Sequence, residues 1–487
     1  MSTTTESTRA QRTFFGHPWG LANLAGVEMW ERFSFYGMQA ILVYYLYYSI
    51  AEGGLGLPET TATSIVGAYG GLVYLSAILG AWVADRLLGA ERTLTTAAVL
   101  IMCGHLSLAL FPGLTGVGVG LVCIAIGSGT LKATTSSVLG DMYAPNDDRR
   151  DGGFSIYYMG VNLGALFGPL LTGLVWGWQG FHWGFGLAAI GMAIGLTQYL
   201  LMRRSTLGDA GHEVTNPLDR AGRVRYGLIA LGVIAVIVIL SVTGVITAAR
   251  LSTIVVGITF AAAVALFTIM LRSSEIDTVE RHRVQSFIPM FLASAIFWSL
   301  FQQQFSVIAV YADQRLDLNV FGWSMPPSWV QSINPIFIII FAGIFASMWT
   351  RLGPRQPITP VKFSLGTIVM GIAFLLFLPY ANGGPNSTPL LWIVLILFFF
   401  TIAELFLSPV GQSLSTKLAP RAFHTQMIAL FFLSIAVGTA GAGSLAAFYD
   451  PSDEVPYFAF LGITSIVVGV TLFLCRRPIA RLMEGVR

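Results

Sequence analysis

Glu28, Glu31 and Arg32 stand in the stretch "VEMWERFSFYG", inside an apolar run that continues to Ile50. Ionisable groups are expensive in hydrocarbon, so they face a bundle interior or an aqueous cavity. Glu28, Arg32, Phe35 and Gln39 follow offsets of 4, 7 and 11, which makes one helical stripe, and Glu31 is adjacent in angle to Arg32. Arg32 can pair with a carboxylate one turn away. Three readings fit the cluster: an ion pair locking a helix interface, a charge at the membrane surface, or a group that couples proton and substrate movement.

Further polar residues interrupt apolar segments: Lys132 in "GSGTLKATTSSVLG", Asn162 in "YYMGVNLGALFGP", Asn334 in "VQSINPIFIII" and Glu404 in "FFFTIAELFLSPVGQS". Lys132 needs a partner or water, and Glu28 or Glu31 could supply it. Each asparagine can bond helix to helix or hold a ligand. Tyr36 and Tyr74 fall near the charged stripe in register or depth, whereas most other tyrosines read as interface-belt residues. Bases on one side, a carboxylate on the other and aromatics between would suit a zwitterion with variable side chains.

The segment "GAWVADRLLGAER" asks for a tight turn between two helices. Gly80 permits close helix approach and Gly89 permits the turn. Asp85 can cap a helix or accept from a neighbouring helix end. Arg86 and Arg92 stay on the basic side, so the segment is either a topological anchor or a gating latch.

The elements carrying these residues must be membrane helices. The chain has 487 residues, 55% hydrophobic and 10% charged, against about 25% charged in soluble domains. Apolar runs of spanning length recur fourteen times in our reading, with the seventh at 225–247, the eighth at 251–272 and the ninth at 286–311. Lys and Arg cluster in alternate connections, "DRLLGAER", "NDDRRDG", "MRRSTLGDAGHEVTNPLDRAGRVR" and "RSSEIDTVERHRVQ", and at the end in "CRRPIARLMEGVR". That bias predicts a multi-pass inner (plasma) membrane protein with both termini cytoplasmic. The predicted organisation is a cytoplasmic tail (1–21), a six-helix bundle (22–203), a linker with two additional helices (204–283), a second six-helix bundle (284–476) and a cytoplasmic tail (477–487).

Enzyme readings find no support. Neither "GxxxxGK[ST]" nor "HExxH" occurs, the six histidines are scattered, and Cys103, Cys123 and Cys475 have neither zinc-site nor disulfide spacing. No cofactor and no metal is expected. The net charge of +3 makes no case for nucleic acid, and the first residues lack the pattern of a cleavable signal. Gradient-driven transport therefore outranks ATP-driven transport. Oligomeric state has no signature in the sequence.

Several blocks resemble known signatures. Gly80–Arg92 is similar to the "GxxxADRxxGxR" loop of the major facilitator superfamily, with one extra residue before the arginine. "ExxERFxxYG" from Glu28 to Gly37, "GFSIYYMGVNLGALFGP" from Gly153 to Pro169 and "AELFLSPVGQSLSTKLAP" from Ala403 to Pro420 resemble the first-, fifth- and tenth-helix blocks of the proton-coupled oligopeptide transporter family. "FWSLFQQQ" and "QSINPIFI" resemble its seventh- and eighth-helix blocks. The resemblance implies an all-α major facilitator fold, with two six-helix bundles and two inserted helices, and proton-driven uptake of di- and tripeptides by alternating access. Its partners would be peptides, protons and membrane lipid.

By motif, Glu28, Glu31, Arg32 and Lys132 match the coupling cluster. Arg32 and Lys132 also match groups near the peptide carboxylate, and Tyr36 and Tyr74 match pocket tyrosines. Asn162, Asn334 and Glu404 match groups receiving the peptide backbone and amino terminus. The chain departs from the pattern at four positions: Phe35 replaces a tyrosine, Gln39 an arginine, Gln302 a glutamate and Phe431 a tryptophan. The rival expectations are a facilitator for a drug, an amino acid or nitrate, and a membrane peptide receptor that does not transport.

Overall fold

The computed structural model describes residues 13–143, 147, 149–207, 212–214 and 216–486. Most of the N-terminal tail and parts of the "NDDRRDG" and "MRRSTLGDAGHEVTNPLDRAGRVR" connections lie outside the described residues. Among the described residues sixteen α-helices follow one another: α1 (Gly20–Tyr47), α2 (Glu59–Val83), α3 (Ala90–Leu110), α4 (Gly113–Asp141), α5 (Arg150–Gln179), α6 (Phe181–Thr206), α7 (Arg220–Val242), α8 (Leu251–Arg272), α9 (Thr278–Phe301), α10 (Val307–Arg315), α11 (Ile333–Leu352), α12 (Thr359–Leu375), α13 (Leu390–Lys417), α14 (His424–Ala446), α15 (Val455–Leu474) and α16 (Arg476–Leu482). Among the described residues, thirteen helical segments are long and apolar enough to cross a membrane, α9 and α10 counting as one. The 28-residue α1 makes fourteen; its three charges set it apart from the rest.

The ninth span departs from the uninterrupted 286–311 of the sequence reading. The "QQQF" segment tightens into a 3-10 turn over Gln302–Phe305, and Ser306 leaves helical geometry at φ −129°, ψ −100°. Gln302 thus caps α9.

Helices α1–α6 form one packed block. Within it α1 rests on α5 and α6, α3 on α4 and α6, and α2 on α4. The spacing of glycines in "GVNLGALFG" explains the α1–α5 approach. A Cβ on Gly164 would sit 2.3 Å from the Met29 carbonyl oxygen, and one on Gly168 2.5 Å from that of Phe33. Small residues let membrane helices meet backbone to backbone, and here they bring α5 against the stretch of α1 that holds the charges. Helices α9–α15 form the second block, with α12 against α13 and α15, and α14 against α9.

One face carries both described ends of the chain. His17 bonds Tyr143 at the α4 terminus at 3.1 Å, and His282 meets Glu484 at 2.8 Å. On the opposite face the two blocks are fastened together. Tyr47 and Tyr48 both donate to Asp313, the latter at 2.7 Å. Gln314 donates to Glu59 at 2.8 Å, and Trp329 donates to the Leu170 carbonyl at 2.9 Å. A Cβ on Gly67 of α2 would stand 2.6 Å from Gly443 Cα of α14.

The inserted pair is asymmetric. Helix α8 packs on α2 and α14, one from each block, whereas α7 buries none of its residues.

Candidate functional site

The charged cluster forms where α1, α4 and α5 meet. Glu28, Glu31 and Arg32 are buried, at 2%, 0% and 5% exposure, so their charges must satisfy one another. Arg32 Nε lies 2.9 Å from Glu28 Oε1 and 2.9 Å from Glu31 Oε2. The Ser128 hydroxyl on α4 donates to the other Glu31 oxygen. Tyr157 of α5 is buried within electrostatic reach of Glu28. Arg32 Nη2 is buried and has no hydrogen-bond partner. The Nη2 end of the guanidinium fork therefore remains for an oxyanion, which guanidinium binds well.

Lys132, one turn beyond Ser128, forms no ion pair with Glu28 or Glu31 within 4.0 Å. Its Nζ sits 4.9 Å from the centroid of the Tyr74 ring. This differs from the expected carboxylate pairing: Ser128 takes the position beside Glu31, and the face of Tyr74 offsets the ammonium charge.

In the second block Asn334 Nδ2 donates to Thr401 at 3.0 Å and to Glu404 at 3.3 Å. Among the described residues Glu404 has no ion pair. Tyr36 bridges the blocks. Arg32 and Glu404 are both within electrostatic reach of its hydroxyl, and its ring stacks with Phe305 at 6.2 Å. Asn162 donates to the Tyr158 carbonyl at 2.9 Å, and Tyr158 is also within reach of Glu404. A cationic group and a carboxylate without an ion pair thus face Tyr36 from the two blocks, an arrangement complementary to a small zwitterion.

The POT family profile matches residues 91–461 of the chain. An uncharacterized transporter of Bacillus subtilis, YclF, is 44% identical over 98% of this chain and 97% of its own. The chain belongs to the POT family. A di-/tripeptide transporter of Lactococcus lactis subsp. cremoris is 40% identical, covering 98% of this chain and 99% of that one. A solved structure, a mutant of the peptide transporter POT in complex with alafosfalin, superposes with a TM-score of 0.93 at 45% identity, covering 98% of both chains. The major facilitator fold expected of a POT protein is present.

Of the positions singled out in the sequence of this POT chain, Glu28, Glu31, Arg32, Tyr36, Tyr74 and Lys132 gather on the first block's side of the space, and Asn334 and Glu404 on the other. Phe35 lies under the Arg32 guanidinium at 5.3 Å and beside Tyr69 at 5.8 Å. Gln39 is buried further along the stripe. Phe431 is packed into the helix interface, where its ring would clash with a Cβ on Gly411.

The "ADRLLG" segment is a turn of π-helix, Ala84–Leu88. Gly80 lies against Thr130, where a Cβ would come within 2.4 Å of the Thr130 Cα, and Gly89 has φ 80°. Asp85 does not cap α3, whose N-cap is Gly89. Instead the carbonyls of Asp85 and Arg86 accept from the Asn216 and Leu218 amides at 2.9 and 3.1 Å, fastening the linker that leads to α7. Arg92 is exposed, and its neighbour Glu91 is buried and takes Arg203 at 2.7 Å.

Sequence reasoning missed Ser128, Tyr157, Thr401, Phe305 and Glu91. Ser128 could have been found, since it stands four residues before Lys132 and therefore on the same helical face.

Proposed function

We propose that this protein is a symporter that carries di- and tripeptides inward with protons by alternating access. The observation that carries the reading is the opposition of Arg32, with an unpartnered buried Nη2, and Glu404, held by Asn334, with Tyr36 within reach of both. A short peptide presents a carboxylate at one end and an ammonium at the other. The first suits Arg32 and Lys132, and the second suits Glu404. Asn162 and Asn334 would bond the peptide backbone, and Tyr36, Tyr74, Phe35, Gln39, Gln302 and Phe431 would set the space left for side chains. The named di-/tripeptide transporter among the relatives supports the same substrate class.

The coupling proton is assigned to the Glu28–Glu31–Arg32–Lys132 cluster. Gln302 has no accessible titration, so the second block's α9 cannot carry it there. Glu31 is the preferred carrier, because Glu28 holds Arg32 from one turn back. When a peptide carboxylate engages Arg32 or Lys132, Glu31 loses part of its counter-charge and takes a proton more readily. Lys132, free of carboxylates in this state, is the group that changes partners, so Lys132→Ala should abolish concentrative uptake.

The protein acts as a transporter and not as a catalyst, is multi-pass in the inner membrane, and has both termini cytoplasmic. Its working units are the bundles 22–203 and 284–476, joined by 204–283, with tails at 1–21 and 477–487. The turn containing Gly80, Asp85, Arg86, Gly89 and Arg92 is a structural anchor for the linker during rocking. The deciding experiment is uptake of labelled dialanine into proteoliposomes under an imposed proton gradient. Accumulation competed by di- and tripeptides is expected. Accumulation competed only by drugs, free amino acids or nitrate, or binding without accumulation, would replace this reading.

A further inference from the structure

On the face that carries the chain ends, a cavity of about 320 Å³ lies between the end of α11, the loop 353–358, the start of α12 and the end of α13. It lies beyond Glu404 along α13, with Lys417 thirteen residues, about 20 Å of helix, further on. Its charged lining residues are Lys362 and Lys417, and its polar ones include Gln356, Thr359 and Ser413, with no aspartate or glutamate among them. Lys362 is 92% buried, since its exposure is 8%. Its ammonium donates to Gln356 Oε1 at 2.6 Å and stands 4.3 Å from the centroid of the Trp349 ring. Among the described residues no carboxylate comes within 4.0 Å of it. Arg355 belongs to the loop that walls the cavity, and Arg351 stands in the last turn of α11.

A buried ammonium is costly unless an anion is beside it. An amide oxygen and a ring face offset only part of that cost, and each leaves donor capacity on Lys362, which has three N–H groups. The cavity is large enough for a tetrahedral oxyanion and its first waters. Its position, at the end of membrane helices among arginines, is where phosphate head groups stand. We propose that this cavity binds a phosphate-class oxyanion, either free phosphate or the phosphodiester of an anionic lipid, with Lys362 as the central ligand and Lys417 on the opposite wall. The site is independent of peptide binding and of its assignment.

The Trp349 indole reports directly on Lys362. The full-length protein is placed in nanodiscs of zwitterionic lipid only, and fluorescence is recorded for the parent and for Trp349→Phe; the difference isolates one of the eleven tryptophans. Inorganic phosphate is titrated in one arm, and phosphatidylglycerol is added to the disc in the other. A saturable change in the Trp349 component is expected in at least one arm. A change with phosphate alone identifies a free anion, and a change with phosphatidylglycerol alone identifies the lipid. Lys362→Gln should weaken the apparent affinity roughly tenfold, the loss of one charge-assisted bond. Lys362→Arg should retain it, and added salt should weaken it. If Lys362→Gln is not monodisperse, Lys417→Gln gives the same reading from the far wall. No saturable change in either arm, or equal affinity after the charge is removed, overturns the proposal.

Discussion

Ser128 and Lys132, one turn apart on α4, divide the work of facing the α1 charges: the hydroxyl reaches Glu31, and the ammonium turns to Tyr74. A hydroxyl can donate to a carboxylate and accept from a carboxylic acid, so Ser128 can stay in place through a protonation cycle of Glu31. Ser128→Ala removes the donor to the charged form and should move half-maximal uptake to higher pH. Ser128→Thr should leave it near the parent value, and an unchanged profile in the alanine variant would detach Ser128 from coupling. Glu31→Gln should keep exchange of labelled for unlabelled peptide and lose accumulation against a gradient; pH-dependent concentration in this variant would transfer the proton to Glu28. At Tyr74 the ring is what matters. Tyr74→Phe should transport within about twofold of the parent, while Tyr74→Leu forfeits a desolvated cation–π contact of about 1–2 kcal/mol, a roughly five- to thirtyfold loss in apparent peptide affinity. Measuring half-saturation for both variants decides between ring and hydroxyl. The charged residues of this site were legible in the sequence because a charge in an apolar run has few explanations. Ser128 and Tyr157 were not, because serine and tyrosine are ordinary in membrane helices, and only a neighbour from another helix gives them a task.

At the scale of elements, α8 is the piece whose position says most. Ser252 bonds Ser64 of α2 at 3.1 Å and receives a bond from Ser444 of α14 at 3.1 Å, so one hydroxyl of the insert ties a helix from each block on the face opposite the chain ends. Each such bond contributes about 1 kcal/mol. Ser252→Ala should therefore enlarge the population open on that side. Spin labels on cysteines at Ile50 and Phe321, both exposed, with the native cysteines replaced, would read it; a distance distribution identical to the parent's would remove α8 from gating. Hydropathy located the insert but could not say which of its helices is packed, since α7 and α8 are equally apolar. It also set the seventh span several residues late, because the turns after Val242 are still apolar. The break at "QQQF" was invisible because glutamines are compatible with a continuous helix.

For the molecule as a whole, the state described is the one closed on the face opposite the chain ends, and at Gly67 against Gly443 the two blocks meet backbone to backbone. A side chain there cannot be accommodated without separating α2 from α14. Gly67→Val should disfavour this state by about 1–3 kcal/mol, the usual cost of overpacking, and shift the distance distribution of spin labels at Ile50 and Phe321 toward the open state. An unchanged distribution would show that the blocks close without that seam. The twofold plan itself was legible from loop charge and span count. Which helices meet across the blocks was not, because glycine spacing marks a close approach without naming the partner.

The exposed helix α7 has a consequence for the membrane around the protein. Its 23 residues make a rod of about 34 Å at 1.5 Å per residue, slightly longer than a typical hydrocarbon thickness of about 30 Å. None of its residues is buried against the described helices, so tilt follows the bilayer: steeper where lipids are long, more slanted where they are short. Its leading end is tied through Asn216 and Leu218 to the turn at Asp85 and Arg86, and the Tyr226 ring rests on Trp82 at 5.0 Å. Bilayer thickness thereby becomes a mechanical load on the end of α2, the same helix whose far end forms the seam with α14.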